Sequence, residues 1–496
     1  MAKNLQELVD RMAGAEVRGS SNREIEKITY DSRQVTAGSL FIALPGSKVD
    51  GHDYVAAACR QGATAVLVQQ EVAVDPGVTV IKVADTRAAM QAVAPYFFDY
   101  PSRKLRMIGV TGTNGKTTTT YILRAILQQA GFRVGLIGTI NNMIDQQVLP
   151  VKNTTPDVIE LQALLSDMVT AGVEYAVMEV SSHALALNRV IGTEFDVGVF
   201  TNISRDHLDF HHTFDHYIAA KAELFRLISA PGPTKSGKAA VVNSDDPAAG
   251  SMLANCACRQ ITYGVSQTAD IQATAIDVRA DGASFTAHAP FGTLPLNLKI
   301  TGVFNVYNVL AAIGAALAEG IAPAIIKQAV EDFSSVSGRF ELVNAGQRFT
   351  VIVDYAHTPD GLENILKTAR QFARRRIIVV FGCGGDRDRT KRPIMGKLAM
   401  EYGDVVIATS DNPRSEDPHA ILEEIEVGLK EGLDNRKSYV IIPERREAIA
   451  RALNLAEPQD VVIIAGKGHE TYQILKDRTI AFDDREVARE IIREMK

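Results

Sequence analysis

The stretch Val110-Thr111-Gly112-Thr113-Asn114-Gly115-Lys116-Thr117-Thr118 constrains the fold more than any other part of the chain. An apolar run, Leu105 to Val110, ends in this glycine-bearing turn, and the residues from Thr118 to Ala130 place Tyr121, Ile122, Ala125 and Ile126 on one helical face. The pattern predicts a strand, a phosphate-binding loop and a helix in immediate succession. Glycines let backbone N–H groups converge on phosphate oxygens, and a helix N-terminus adds positive potential there. Lys116 is placed to reach the terminal phosphates of ATP and the Thr117 hydroxyl to bind magnesium, with Gly112, Thr113, Asn114, Gly115 and Thr118 completing the loop. The usual spacing has a glycine at position 110, where this chain has Val110, so the loop is the tighter Gly-Thr-Asn-Gly-Lys-Thr. A turn that merely joins strand to helix is the competing reading.

A length of 496 residues suits about three domains. With 46% apolar and 23% charged residues the composition is that of an ordinary globular protein. A net charge of −6 gives no polyanion-binding signal, so no nucleic-acid partner is expected. No apolar run approaches a membrane span, and Met1-Ala2-Lys3-Asn4 carries no secretory signal, so a cytoplasmic enzyme without a membrane partner is expected. Cys59, Cys256, Cys258 and Cys383 form neither a disulfide framework nor a zinc pattern, and Cys383 reads as a small filler in a glycine-rich turn.

The expected architecture is α/β in three domains. Residues 1–103 read as a small N-terminal α/β domain, with an amphipathic start and short apolar runs at 40–44, 65–68 and 78–83. Tyr100-Pro101-Ser102-Arg103-Lys104 reads as a linker. Residues 104–336 read as a central P-loop ATPase-like domain. Strands at 105–110, 134–138, 175–180, 195–200 and 239–242 alternate with helical stretches, which argues a mostly parallel sheet. Antiparallel strands are expected within 270–300, and a helix from Asn305 to Ala318 closes the domain. Residues 337–496 read as a C-terminal Rossmann-like domain, with strands at 350–353, 377–381, 405–408, 439–442 and 461–465 but no dinucleotide glycine fingerprint.

Polar residues gather where these strands end. Glu179, in Met178-Glu179-Val180-Ser181-Ser182-His183, is placed to hold magnesium or to form a strand-end salt bridge. His207, His211 and His212 lie beside Asp206 and Asp209, without zinc spacing. Lys221 sits among apolar residues at helical spacing, where a snorkelling surface lysine is the simplest reading. In the third domain four strands run into turns rich in Asp, Arg, His and Gly: 354–360, 382–389, 410–414 and 466–470. Four such turns on one sheet edge suggest a ligand site.

As an ordered set, these residues resemble the Mur ligase family, the ATP-dependent amide-bond-forming enzymes of peptidoglycan precursor synthesis, over essentially the whole chain. The resemblance implies ATP and Mg2+ as cofactors and assigns roles to single residues. Thr113-Asn114-Gly115-Lys116-Thr117 is similar to the family's ATP loop, and Asn305, Arg339 and Asp354 match further nucleotide contacts. Glu179 and His207 match magnesium ligands, and Lys221 matches a lysine that family members carry as a carbamate (N6-carboxylysine). Lys116, Lys221, Glu179 and His207 are thus the implied catalytic group, with Thr117 as a further metal ligand. Ser32, Thr154, Thr155, Ser181 and Arg189 fall where a UDP-sugar dipeptide is held. Arg387, Asp411, Asn412, Pro413, Arg414, Gly466 and Glu470 fall where the incoming amino acid is held.

The reaction so implied has two steps. The γ-carboxylate of D-glutamate in UDP-N-acetylmuramoyl-L-alanyl-D-glutamate attacks the terminal phosphate of ATP, and the resulting acyl phosphate is attacked by the amine of an amino acid. Asp411-Asn412-Pro413-Arg414 is similar to the version found in members that select meso-diaminopimelate. Arg414 offers a planar fork to the distal carboxylate that diaminopimelate has and L-lysine lacks. A monomer is expected. The competing functions are an L-lysine-adding member of the family, a folylpolyglutamate synthetase-like ligase, and a nucleotide-binding regulatory module.

Overall fold

Apolar runs without polar alternation make strands covered on both faces, and the computed structural model, which describes residues 2–46, 49–230 and 235–495, is an α/β fold built on such strands. The chain divides into two units: 1–109 with 132–197 and 226–238, and 110–131 with 198–225 and 239–496.

In the first unit Lys27–Thr29, Ser39–Ile42, Ala63–Val68 and Thr79–Lys82 are parallel neighbours in that order, and Glu16–Arg18 closes the edge antiparallel. Leu40, Ile42, Leu67 and Ile81 pack with Met90, Val93 and Phe97 of helix Thr86–Phe97 and with Val158 and Ile159 of helix Val158–Thr170. Asp85 caps the first of these helices by accepting from the N–H groups of Arg87 and Ala88. Val134–Ile137 pairs parallel with Tyr175–Glu179 on one side and antiparallel with the hairpin Asn142–Ile144/Gln147–Leu149 on the other. The expected linker is a packed 3-10 turn, Pro101–Lys104, with Pro101 and Ser102 buried and Arg103 paired to Glu194 at 2.7 Å.

In the second unit the helix after the phosphate loop spans Lys116–Gln129. Ala239–Asn243, Arg259–Gly264 and Ile271–Arg279 run parallel, and the last continues antiparallel into Gly282–Ala289 and Gly292–Leu298, the arrangement expected within 270–300. Helix Val303–Ala318 packs against both Lys116–Gln129 and Ala239–Asn243. Strand Arg259–Gly264 and helix Pro323–Asp332 were not expected from the sequence: only Ile261, Tyr263 and Gly264 of the strand are buried, so its apolar run is too short to register. The C-terminal sheet has the order Glu341–Leu342, Thr350–Asp354, Val461–Ala465, Ile377–Phe381, Val405–Ala408, Ser438–Ile441, parallel except for the first. Helices Pro359–Phe372, Lys391–Tyr402 and Pro418–Glu431 cover one face. Arg445–Leu455 and Asp484–Glu494 cover the other, so the sheet is doubly wound and its carboxyl ends form one edge.

Candidate active site

Two glycines shape the phosphate loop. Gly115 caps helix Lys116–Gln129 at φ +87°, where a Cβ would stand 2.3 Å from Asn308 Oδ1. A Cβ on Gly112 would stand 1.9 Å from Thr201 Oγ1. Only glycine meets both demands. The loop is strapped to the next strand end: Thr113 N donates to Asn202 O (2.8 Å), Asn114 N to Asn202 Oδ1 (3.0 Å), and Thr201 Oγ1 to Asn114 O (2.6 Å). Lys116 Nζ folds back onto the carbonyls of Gly112 (2.9 Å) and Thr113 (2.8 Å). Thr117 and Thr118 are buried in the first turn, and the Thr117 hydroxyl accepts from Arg339 Nη2 at 3.1 Å.

The structure corrects the surface reading of Lys221. Its side chain is 1% exposed, Nζ donates to Gly112 O at 2.8 Å, and it lies 4.5 Å from the centre of the Tyr217 ring. Burial, with the Lys116 charge nearby, holds its amine well below the ordinary lysine range. The signal was present in the chain, because Tyr217, Lys221, Leu224 and Ile228 share one helical stripe and the three apolar members are buried. A charge inside such a stripe is a site candidate. His207, at φ +55°, lies 3.4 Å from Asp206 and 6.3 Å from the Tyr217 ring, whose hydroxyl meets Thr113 Oγ1 at 3.0 Å. His211 is instead a buried ring against Tyr217 and Phe210, and His212 is exposed. His207 and His211 thus flank one tyrosine ring while His212 stands exposed, and among the described residues no group of three His, Cys, Asp or Glu could hold a metal.

Beside the loop opens a cavity of about 510 Å³, lined by Asn114, Gly115, Thr118, Tyr307, Arg339 and His357 among others. Arg339 lies over the Tyr355 ring (4.6 Å). Asp354 accepts from Phe340 N (2.6 Å) and Ala356 N (2.7 Å), which ties the residue after Arg339 to the end of strand Thr350–Asp354. Burial pushes the Asp354 carboxyl up. Asn305 reaches the loop indirectly: it donates to Thr301 O (2.8 Å) and accepts from Asn308 Nδ2 (3.0 Å), and Asn308 in turn abuts Gly115. Asp360, not singled out from sequence, accepts from Asn114 Nδ2 (2.5 Å) and Ser204 Oγ (3.1 Å).

The turns 410–414 and 466–470 meet at the same sheet edge. Asn412 Nδ2 donates to Glu470 Oε2 (2.9 Å), and a Cβ on Gly466 would lie 2.6 Å from Asp411 Oδ2. Pro413 is buried and Arg414 adopts φ +53°. Arg414 Nη1 donates to the carbonyls of Gly385 (2.8 Å) and Asn412 (3.4 Å), neither of them an anion. Arg387 is exposed, with Nη1 on Asp386 O (3.0 Å). Sequence reasoning passed over Lys467, whose fully buried ammonium donates to Glu470 (2.9 Å) and Asn412 Oδ1 (3.2 Å). A lysine between two glycines at a buried strand end was the available signal.

A separate cluster lies within the first unit. Buried Thr155 donates from Oγ1 to Glu179 O (2.8 Å) and accepts from Ser181 N (3.1 Å). Glu179, 1% exposed, accepts from Thr139 N (2.8 Å) and Thr139 Oγ1 (2.9 Å), and the latter meets Thr154 Oγ1 at 3.1 Å. Two of its four acceptor positions are thereby used. Arg189 Nη1 donates to Thr155 O (3.4 Å). Ser32 begins the 3-10 turn Ser32–Gln34 and is half-buried, between the half-buried Asp31 and the exposed Arg33 that pair at 2.8 Å.

Three family models match the chain: the Mur ligase family catalytic domain over 24–98, the Mur ligase middle domain over 110–316, and the Mur ligase glutamate ligase domain over 338–468. A UDP-N-acetylmuramoyl-L-alanyl-D-glutamate–2,6-diaminopimelate ligase of Geobacillus thermodenitrificans is 48% identical, with 99% of each chain covered. A solved structure of a ligase with that name matches at TM-score 0.69 and 33% identity, covering 100% of this chain and 99% of the other. The folylpolyglutamate synthase of Mycobacterium tuberculosis shares the fold at TM-score 0.62 and 18% identity, over 77% of this chain and 91% of its own.

Proposed function

We propose that this chain, which belongs to the Mur ligase family, is the ATP-dependent ligase that joins meso-diaminopimelate to the D-glutamate γ-carboxylate of UDP-N-acetylmuramoyl-L-alanyl-D-glutamate. The observation that carries the reading is the 48% identity, end to end, with a relative named for that reaction. The Asp411-Asn412-Pro413-Arg414 turn beside Glu470 supports it. Three domains, 1–103, 104–336 and 337–496, accompany the reading, supported by the order of the three family models. So does a cytoplasmic monomer, since ATP and nucleotide-linked precursors meet in that compartment. Among the described residues no helix is long and apolar enough to cross a membrane.

The first step brings two anions together, so positive charge must stand where charge crowds. Lys116 and the N–H groups at the start of helix Lys116–Gln129 do this at the phosphates, with Arg339 beside Thr117. Thr117, His207 and a carbamate on Lys221 would hold Mg2+, and Glu179, within the first unit, is a further candidate magnesium ligand. The donors fit a hard cation: Thr117 offers a hydroxyl oxygen and Glu179 two unused acceptor positions. Lys221, its amine favoured over ammonium by burial, can take up carbon dioxide and present oxygen instead of a repelling charge. When bound, magnesium neutralises phosphate charge. Asn305, through Asn308, and Asp354 keep the nucleotide pocket in shape.

Ser32, Thr154, Thr155, Ser181 and Arg189 bind the UDP-sugar dipeptide in this reading. Arg387, Asp411 to Arg414, Gly466 and Glu470 orient the amino acid, leaving its amine to attack the acyl phosphate, which is a matter of positioning. The test is phosphate release from ATP in the presence of UDP-N-acetylmuramoyl-L-alanyl-D-glutamate. Release that depends on added meso-diaminopimelate is expected. Release driven by a folate and glutamate, or ATP binding without substrate-dependent release, would contradict the proposal.

A further inference from the structure

Under the amino-acid turns lie two oppositely charged side chains that belong to neither turn. Arg445 opens helix Arg445–Leu455 and Asp484 opens helix Asp484–Glu494, and both are 0% exposed. Arg445 Nε and Nη2 each donate to one oxygen of the Asp484 carboxylate at 2.7 Å, a bidentate pair. The remaining donor capacity goes to backbone: Nη2 also reaches Ala465 O at 3.1 Å and Nη1 reaches Ser410 O at 3.4 Å.

Ala465 ends strand Val461–Ala465, and Ser410 follows strand Val405–Ala408. Strand Ile377–Phe381 lies between those two in the sheet, so one guanidinium bridges the ends of strands that do not touch each other. The next residue after each bridged carbonyl is a site residue, Gly466 on one side and Asp411 on the other. The charge of Arg445 also faces the carboxylates of Asp411 and Glu470.

A buried ion pair is a poor device for stability alone, because well-packed apolar residues of similar volume often do as well or better. An apolar pair cannot fix the distance between two carbonyls. We propose that Arg445, oriented by Asp484, is a positioning residue that sets the separation of the 411–414 and 466–470 turns and thereby the affinity for the incoming amino acid. The inference rests on the reading of those turns as the diaminopimelate half of the site. None of its hydrogen-bond partners, Asp484, Ala465 and Ser410, is among the residues that line the cavity beside the phosphate loop, so the larger effect is expected on the amino acid and the smaller on ATP.

Two variants test this by steady-state kinetics with each of the three substrates varied in turn. Asp484→Asn keeps the volume and breaks the bidentate pair, and Arg445→Lys keeps the charge but cannot reach both carbonyls. Each is expected to raise KM for diaminopimelate at least ~10-fold, with KM for ATP and for the UDP-dipeptide within ~2-fold and kcat largely kept. A uniform fall in kcat with unchanged KM values, or a common rise in all three, would overturn the inference. If Arg445→Lys does not fold, Asp484→Asn decides. If neither folds, the pair holds the fold and not the site, and the inference fails. The wild-type protein in the same assay separates the two levels: absence of diaminopimelate-dependent release overturns the ligase reading itself, and wild-type release with unchanged KM ratios in the variants overturns only this inference.

Discussion

Lys221 carries a positive charge on paper and an almost fully buried amine in the folded chain, 2.8 Å from a phosphate-loop carbonyl. Because burial lowers its proton affinity, the neutral amine is available nearer neutrality than on an ordinary lysine, and that is the form that reacts with carbon dioxide. Lys221→Met keeps most of the packing volume and is expected to fold while losing at least ~10²-fold in rate. Removing dissolved carbon dioxide is expected to slow the wild type and leave the residual rate of the variant alone, both measured as initial rates of phosphate release. A variant with wild-type rate would contradict the assignment.

His469 makes a second prediction at this scale. Burial and the charges of Arg339, Arg485 and Lys467 push its pKa from 6.5 down to about 3, and its Nδ1 is buried without a hydrogen-bond partner among the described residues. The unfolded chain takes up this proton near 6.5 and the folded one only near 3, so the unfolded state binds more protons in between. Stability is therefore full above 6.5 and falls as pH drops from 6.5 towards 3. His357, buried and shifted the same way, adds the same sign. His469→Phe, which can still stack on Tyr355, is expected to flatten the dependence of the denaturation midpoint on pH across that window. An unchanged slope would refute it.

Among elements, the phosphate loop shows how much of a fold is legible in a sequence. The strand expected at 105–110 is Arg106–Thr111 and the helix expected at 118–130 is Lys116–Gln129. The mostly apolar run from Leu105 to Val110 and the glycines of the loop that follows mark both boundaries in the chain. The hairpin Asn142–Ile144/Gln147–Leu149 was missed because three-residue strands, mostly exposed or half-buried, leave no periodicity to read. Strand ends in the C-terminal sheet were legible as a set, since four polar turns at one edge require only parallel order. What connects those turns was not, because Arg445 and Asp484 come from helix starts 39 residues apart in sequence.

A substitution pair separates function from stability within the phosphate-loop helix. Gly115→Ala meets both a left-handed backbone, costing about 1–2 kcal/mol, and the Asn308 side chain. It is expected to abolish ATP binding measured by calorimetry. Gly131→Ala sits at φ +93° past the other end of the same helix with nothing within 4 Å of the added Cβ. It is expected to lower thermal stability modestly and leave ATP affinity unchanged. Equal affinities in the two variants would contradict the role given to Gly115.

For the whole molecule, fold alone does not settle the reaction, since a folylpolyglutamate synthase shares it at TM-score 0.62. Choice of the incoming amino acid falls to side chains at the edge of the C-terminal sheet, above all Arg414, whose guanidinium donates to the carbonyls of Gly385 and Asn412 and not to a carboxylate. A distal carboxylate would complete that guanidinium, whereas lysine would leave it facing an ammonium. The mismatch is worth several kcal/mol, on the order of 10²–10⁴ in discrimination. The most direct test offers meso-diaminopimelate and L-lysine together, at equal concentration, with ATP and UDP-N-acetylmuramoyl-L-alanyl-D-glutamate, and weighs the products by mass spectrometry. The diaminopimelate tripeptide is expected in at least ~10²-fold excess; comparable amounts of the two products, or an excess of the lysine product, would contradict the role given to Arg414.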